Sequence, residues 1–167
     1  MSISFVVTGV CGSGKSGLGN LLAARWNVPF IEGDDLHSEQ NRAKMAAGTP
    51  LTDSDREPWL DRIGSTIASA QYEHGGAVAT CSALKRVYRD RLRATVDHRL
   101  RFVMLDVPRA ELQRRMAHRT GHFMPATLLD SQLNTLEPPV GEGDVLTVDG
   151  SAPMDEIARR VCEWQAR

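Results

Sequence analysis

An open α/β fold, with a mostly parallel five-stranded sheet covered by helices on both faces, is what this sequence predicts. Two observations predict it. Short apolar runs alternate with longer stretches whose apolar residues recur every three or four positions. The short runs are nearly continuous in Val, Ile, Phe and Leu, as expected of strands buried on both faces. Right-handed crossovers follow as the default connection.

The first run, SFVVTGV (Ser4 to Val10), predicts a buried strand. Leu18, Leu21, Leu22 and Trp26 then repeat at helical spacing. PFIEG, from Pro29, predicts the second strand. A long helix is expected from Arg56, starting among acidic residues with Pro58 in its first turn and ending at Gly75 and Gly76; its apolar stripe is Leu60, Ile63 and Ile67. AVATCSA (Ala77 to Ala83) predicts the third strand, followed by a helix marked by Tyr88, Leu92 and Val96. RFVMLDV (Arg101 to Val107) predicts the fourth strand, closed by Pro108, and Leu112 and Met116 mark the next helix. A basic stretch, RRMAHRTGHFMP, precedes a short helix expected over Thr127 to Leu136. DVLTVDG predicts the fifth strand, and Met154, Ile157, Val161 and Trp164 stripe the last helix. Gly48 to Arg56 and Glu137 to Asp144 read as surface loops.

The chain of 167 residues suits one domain, and no linker, repeat or low-complexity tract divides it. A net charge of −1, with both signs interspersed, gives no electrostatic footprint for nucleic acid. Cys11, Cys81 and Cys162 form no CxxC pair, so neither a disulfide framework nor a zinc site is expected. No apolar run reaches the roughly 20 residues of a bilayer span, and MSISFVVTGV lacks the plan of a signal peptide. The expectation is a cytoplasmic protein with no membrane partner.

GVCGSGKS (Gly9 to Ser16) matches G-x-x-x-x-G-K-[ST], with a strand before it and a helix after it. In that setting Gly9, Gly12, Ser13 and Gly14 let the backbone wrap a phosphate, and N–H groups at the helix start point at the anion. Lys15 is the cation for β- and γ-phosphates, Ser16 the hydroxyl for Mg²⁺, and Gly17 lies just beyond. The motif predicts nucleotide binding but names no reaction. A guanine-reading N-K-x-D is missing, and no D-x-x-G follows a strand where a switch region would need it.

Asp34 and Asp35 end the second strand, on the sheet edge where the phosphate loop opens. A carboxylate there can serve both a metal ion and an acceptor hydroxyl, and His37 can donate to a substrate oxygen. Lys85 and Arg89, one turn apart beyond the third strand, are candidate cations for an anionic substrate, whereas Asp53, Asp55 and Arg56 could simply cap a helix. Arg115 and Arg119, at i and i+4 in a predicted lid over residues 114–126, could stabilise a phosphoryl group in transfer.

With GDDLHSEQNRAKMAAGTPLTDSDREPWL, CSALKRVYRDRLR and GHFMPATLLDSQLNTLEPP added to the phosphate loop, the sequence resembles the gluconate kinases over nearly its whole length. The resemblance implies a three-layer P-loop kinase fold like that of the nucleoside monophosphate kinases, with sheet order 2-3-1-4-5. It implies MgATP-dependent phosphorylation of D-gluconate on its 6-hydroxyl by a homodimer. Asp34 and His37 fall on the family's G-D-x-[LF]-H, and Asp35 on its variable position. Arg56, Lys85 and Arg89 match positions implied to touch the sugar acid. Arg119 and His122 lie in the lid, and Gln132 and Glu137 match a block without an assigned role. The chain departs from the pattern at Cys11, Gly17 and Ser38. Two other readings stay open: a shikimate-kinase-like or other small-acid kinase, and a nucleotide-binding regulatory module without catalysis.

Overall fold

Residues 3–118 and 126–167 are described by the structure, a computed structural model. The strands are β1 (Ser4–Thr8), β2 (Phe30–Ile31), β3 (Val78–Thr80), β4 (Leu100–Asp106) and β5 (Val145–Asp149). They pair in parallel throughout, in the order β2-β3-β1-β4-β5. The helices are α1 (Lys15–Trp26), α2 (Glu39–Ala46), α3 (Asp53–His74), α4 (Arg86–Val96), α5 (Arg109–Ala117), α6 (Ala126–Thr135) and α7 (Met154–Gln165).

Strand alternation sorts the core into two layers. Val6, Ala79 and Phe102 face α3 and α4, meeting Trp59, Ile63, Ile67, Tyr88 and Leu92. Phe5, Val7, Val78, Val103 and Val148 face α1 and α7, meeting Leu18, Leu22, Ile157 and Val161. A third cluster sits beyond the strand ends, where Val10 and Cys11 pack with Leu84, Val107, Leu112 and Leu129. It joins the phosphate loop to α5 and α6.

The expected fold is therefore observed, with local differences. Helix α3 starts three residues before Arg56, because Thr52 and Asp55 form a reciprocal capping box; Pro58 thus falls beyond the first turn. Helix α2 carries almost no apolar stripe to announce it, and it is started by Ser38, whose hydroxyl accepts from the Asn41 N–H at 3.1 Å. β3 stops at Thr80; beyond it the Cys81 N–H still donates to Val7 O, and the Ala83 N–H donates to Thr8 Oγ1. Within the expected lid, residues 114–117 are the end of α5; Arg119 and His122 lie outside the described residues.

Candidate active site

One cleft of about 670 Å³ opens at the C-terminal edge of the sheet. The phosphate loop, the turn after β2, the start of α3 and one face of α6 line it. Lys15, Ser16, Asp34, His37, Arg56 and Arg115 all reach this cleft.

On the phosphate side, Gly9, Gly12 and Gly14 adopt φ of 143°, 78° and 95°. A Cβ at Gly9 would lie 2.9 Å from Leu105 O, so the loop can leave β1 only at a glycine. Helix α1 has no side-chain cap and no acidic residue in its first turn. Its N–H groups and positive dipole end are accordingly disposed toward an anion. Ser13 is buried inside the loop, and its Oγ is the one fully buried side-chain polar atom without a hydrogen-bond partner among the described residues. Gly17 leaves room for the Met154 methyl, which a Cβ would approach to 3.1 Å. Lys15 Nζ donates to Val10 O at 3.0 Å. Burial lowers the Lys15 pKa, and Asp34 is the largest influence opposing that shift. Arg115 donates to Gly12 O and Gly150 O, linking the loop to the end of β5.

Glu32 also lines the cleft, and sequence reasoning passed over it. It accepts from Ser16 Oγ at 2.6 Å through one oxygen and from Thr80 Oγ1 at 2.5 Å through the other. The next residue, Gly33, lies so close to β3 that a Cβ would stand 1.9 Å from Thr80 O. Its carbonyl accepts from Trp59 Nε1 at 2.8 Å. This pinned glycine aims the following turn, Gly33–Leu36, which carries Asp34 and Asp35 into the cleft. Ser16, Glu32 and Asp34 offer hard oxygen donors. Among the described residues no cluster of three or more His, Cys, Asp or Glu could hold a metal alone. Mg²⁺ suits such a sparse set, because it keeps waters and shares phosphate oxygens.

The other half of the cleft is built around His37. Its ring stacks on Trp59 with centroids 4.0 Å apart. Burial and then Arg56, Arg42 and Arg62 push its pKa down to about 4, so the ring is neutral at pH 7. The Asn41 amide nitrogen donates to Asp55 O at 3.0 Å and lies 3.3 Å from His37 Nδ1. Nδ1 is then the acceptor and Nε2 carries the proton. Arg56 is nearly buried, and its hydrogen bonds among the described residues are two long ones, 3.4 Å each, to Leu51 O. Arg42, missed at first because it sits on an unforeseen helix, adds a second cation to this side.

Two predicted substrate contacts are corrected. Arg89 is wholly buried and does not line the cleft. Its guanidinium binds both Glu142 oxygens at 2.9 and 2.7 Å and donates to Ala83 O, Leu84 O and Glu137 O, which engages all its donors. Lys85 also lies off the cleft, with Nζ 3.1 Å from Asp53. The Tyr88 ring has Arg56 5.3 Å from its centroid and Lys85 5.6 Å. Glu137 is structural too: its carboxylate accepts from the Arg86 N–H at the start of α4. Gln132 does face the cleft, and its Oε1 accepts from the Cys11 N–H at 2.7 Å.

The shikimate kinase family model matches residues 11–165. The gluconokinase of Gluconobacter oxydans is 46% identical over 152 residues, 91% of this chain and 85% of the relative. The chain belongs to the gluconokinase family. The solved gluconokinase of Sinorhizobium meliloti is 46% identical, with a TM-score of 0.86 over 99% of this chain and 98% of the other. A solved sugar kinase from a Janibacter species is 38% identical, with a TM-score of 0.93 over 99% and 95%. The phosphate loop lines one side of the cleft, and His37, Arg42 and Arg56 line the other.

Proposed function

We infer that the protein is an ATP-dependent gluconokinase, transferring the γ-phosphoryl group of ATP to the 6-hydroxyl of D-gluconate. The observation carrying this reading is the continuity of the cleft, in which the phosphate loop, Asp34 and the His37–Arg56 pocket share one cavity. The phosphate loop and the α1 N-terminus hold the triphosphate, and Lys15 neutralises charge on its terminal groups. Arg115, already across the loop, lies over the nucleotide side. Ser16, Glu32 and Asp34 would hold Mg²⁺, which supplies charge neutralisation on the phosphate oxygens.

Arg56, with Arg42 beside it, is the cation for the gluconate carboxylate, and the neutral His37 donates Nε2–H to a sugar oxygen. Asp34 takes the proton as the 6-hydroxyl oxygen bonds to phosphorus and the bond to the β-phosphate oxygen breaks. The same reading makes the chain one domain with a lid over residues 114–126, a segment whose residues include Arg119 and His122. It also makes the protein a cytoplasmic homodimer; among the described residues no helix is long and apolar enough to cross a membrane. The dimer is checked by light scattering.

The test is a coupled ADP-release assay with gluconate and shikimate in parallel. Turnover of gluconate and not shikimate is expected. Preference for shikimate overturns the substrate, and tight ATP binding without ADP release on any sugar acid revives the regulatory reading. Asp34→Asn should lower kcat by roughly 10²- to 10⁴-fold.

A further inference from the structure

Two hydrogen bonds in the phosphate loop meet on a single peptide group. Lys15 Nζ donates to the Val10 carbonyl at 3.0 Å. The N–H of the same peptide, that of Cys11, donates to Gln132 Oε1 at 2.7 Å. In a trans peptide these groups point to opposite edges, so the plane is held from both sides. The loop backbone supplies part of that hold. Gly9 and Gly12 stand on either side of Val10 and Cys11, with φ of 143° and 78°. The Ser13 N–H adds a third bond, at 3.2 Å, to the same Val10 carbonyl. The Cys11 N–H edge is the one that α6 secures.

Gln132 is well placed to do this. Helix α6 turns Leu128, Ser131 and Gln132 toward the cleft. Leu129 packs with Val10 and Cys11 beneath the loop, and Leu133 joins that cluster. The helix is thus anchored by apolar contacts independent of the amide. Only Oε1 can accept from an N–H, so the amide orientation is fixed by chemistry.

We propose that Gln132 is a positioning residue that locks the Val10–Cys11 peptide and, through its carbonyl, the Lys15 ammonium. It couples α6 to the phosphate cradle 121 residues away in the chain. The proposal rests on the nucleotide-binding half of the function read above and is independent of the identity of the acceptor. Losing the bond removes the α6 hold on the Cys11 N–H edge, and the Val10 carbonyl is then positioned by Lys15 Nζ and the Ser13 N–H without that support.

The test is a double-mutant cycle on binding of the non-hydrolysable analogue AMP-PNP with Mg²⁺, measured calorimetrically for wild type, Gln132→Met, Lys15→Met and the double variant. Met keeps the side-chain length and the packing on α6. Gln132→Met should weaken binding by about five- to tenfold in wild type, the size of one lost intramolecular hydrogen bond, and by less than twofold in the Lys15→Met background. Equal losses in the two backgrounds overturn the proposal, because Gln132 then acts without Lys15; so does a Gln132→Met protein that binds like wild type. In turnover, Gln132→Met should lower kcat about tenfold while leaving the gluconate KM within twofold. A raised gluconate KM with unchanged kcat assigns Gln132 to the acceptor and also overturns the proposal. Failure of gluconate turnover in wild type would instead count against the substrate, since the binding cycle needs no acceptor.

Discussion

Arg56 keeps 7% of its surface exposed and Arg89 none, and both stand on the acceptor side of the sheet. Their partners differ completely. Arg89 is held by both oxygens of Glu142 and by three carbonyls, in a pair whose side chains are 0% and 3% exposed. Arg93 extends the network to Glu142, Asp144 and Asp90. Among the described residues Arg56 makes two marginal hydrogen bonds to one carbonyl, lies over the Tyr88 ring and faces the cleft. Burial of a cation therefore says little about its role; its unsatisfied donors say more. A guanidinium with all donors engaged stiffens a loop, whereas one with donors left over is available to an anion.

The largest effect should come from breaking the closed member of this comparison. Arg89→Met leaves the Glu142 carboxylate buried beside Arg93 alone, and should cost about 3 to 5 kcal/mol. Calorimetry should show Tm lowered by roughly 10 °C, with the gluconate KM of the folded enzyme nearly unchanged. A large KM effect at constant Tm would return Arg89 to the substrate. Arg56→Met should do the reverse: gluconate kcat/KM about 100-fold lower, about 2.7 kcal/mol, with Tm within a few degrees. Normal gluconate kinetics in that variant would remove Arg56 from the acceptor pocket.

A smaller effect is expected from Glu32→Gln. It should raise the Mg²⁺ concentration for half-maximal rate about tenfold, about 1.4 kcal/mol, and an unchanged Mg²⁺ dependence would leave Glu32 a purely structural partner of Ser16 and Thr80.

The smallest effect is on pH. His37 has a folded pKa of about 4, below its unfolded value of 6.5. Its contribution to stability is present above 6.5 and declines as pH falls toward 4, because only the unfolded chain takes up the proton. Glu142, with its pKa held at about 2 by Arg89 and Arg93 against a usual 4.5, loses its contribution as pH falls from 4.5 toward 2. Thermal melts of His37→Gln should be flatter than wild type between pH 6.5 and 4.5. Identical slopes in the two proteins would place the histidine outside the folded core.

Much of the site was legible before folding was considered. The phosphate loop is contiguous, and Gly12, Gly14, Lys15 and Ser16 line one cleft from adjacent positions. Asp34 and His37 were legible for a related reason, since they follow directly from a strand end whose edge is known. Glu32 was not, because a single carboxylate at the end of an apolar run carries no local pattern; its meaning comes from Ser16 and Thr80. Lys85 and Arg89 were misplaced because one-turn spacing shows which side chains are neighbours on a helix and not what packs against them. Asp53 and Glu142, which neutralise them, come from distant segments. Helix α2 escaped notice because its residues are mostly polar, and its start depends on one hydroxyl cap.

The sequence by itself determined the α/β class, the phosphate-loop motif and the edge of the sheet at which the cleft opens. Those features depend on periodicity and on motifs whose members are a few residues apart. Tertiary structure alone decided which cations are engaged and which are available, how Glu32 joins Ser16, and how Gln132 reaches Cys11. The physical reason is that a charged or polar group takes its role from the partners left to it after packing, and here those partners arrive from tens of residues away.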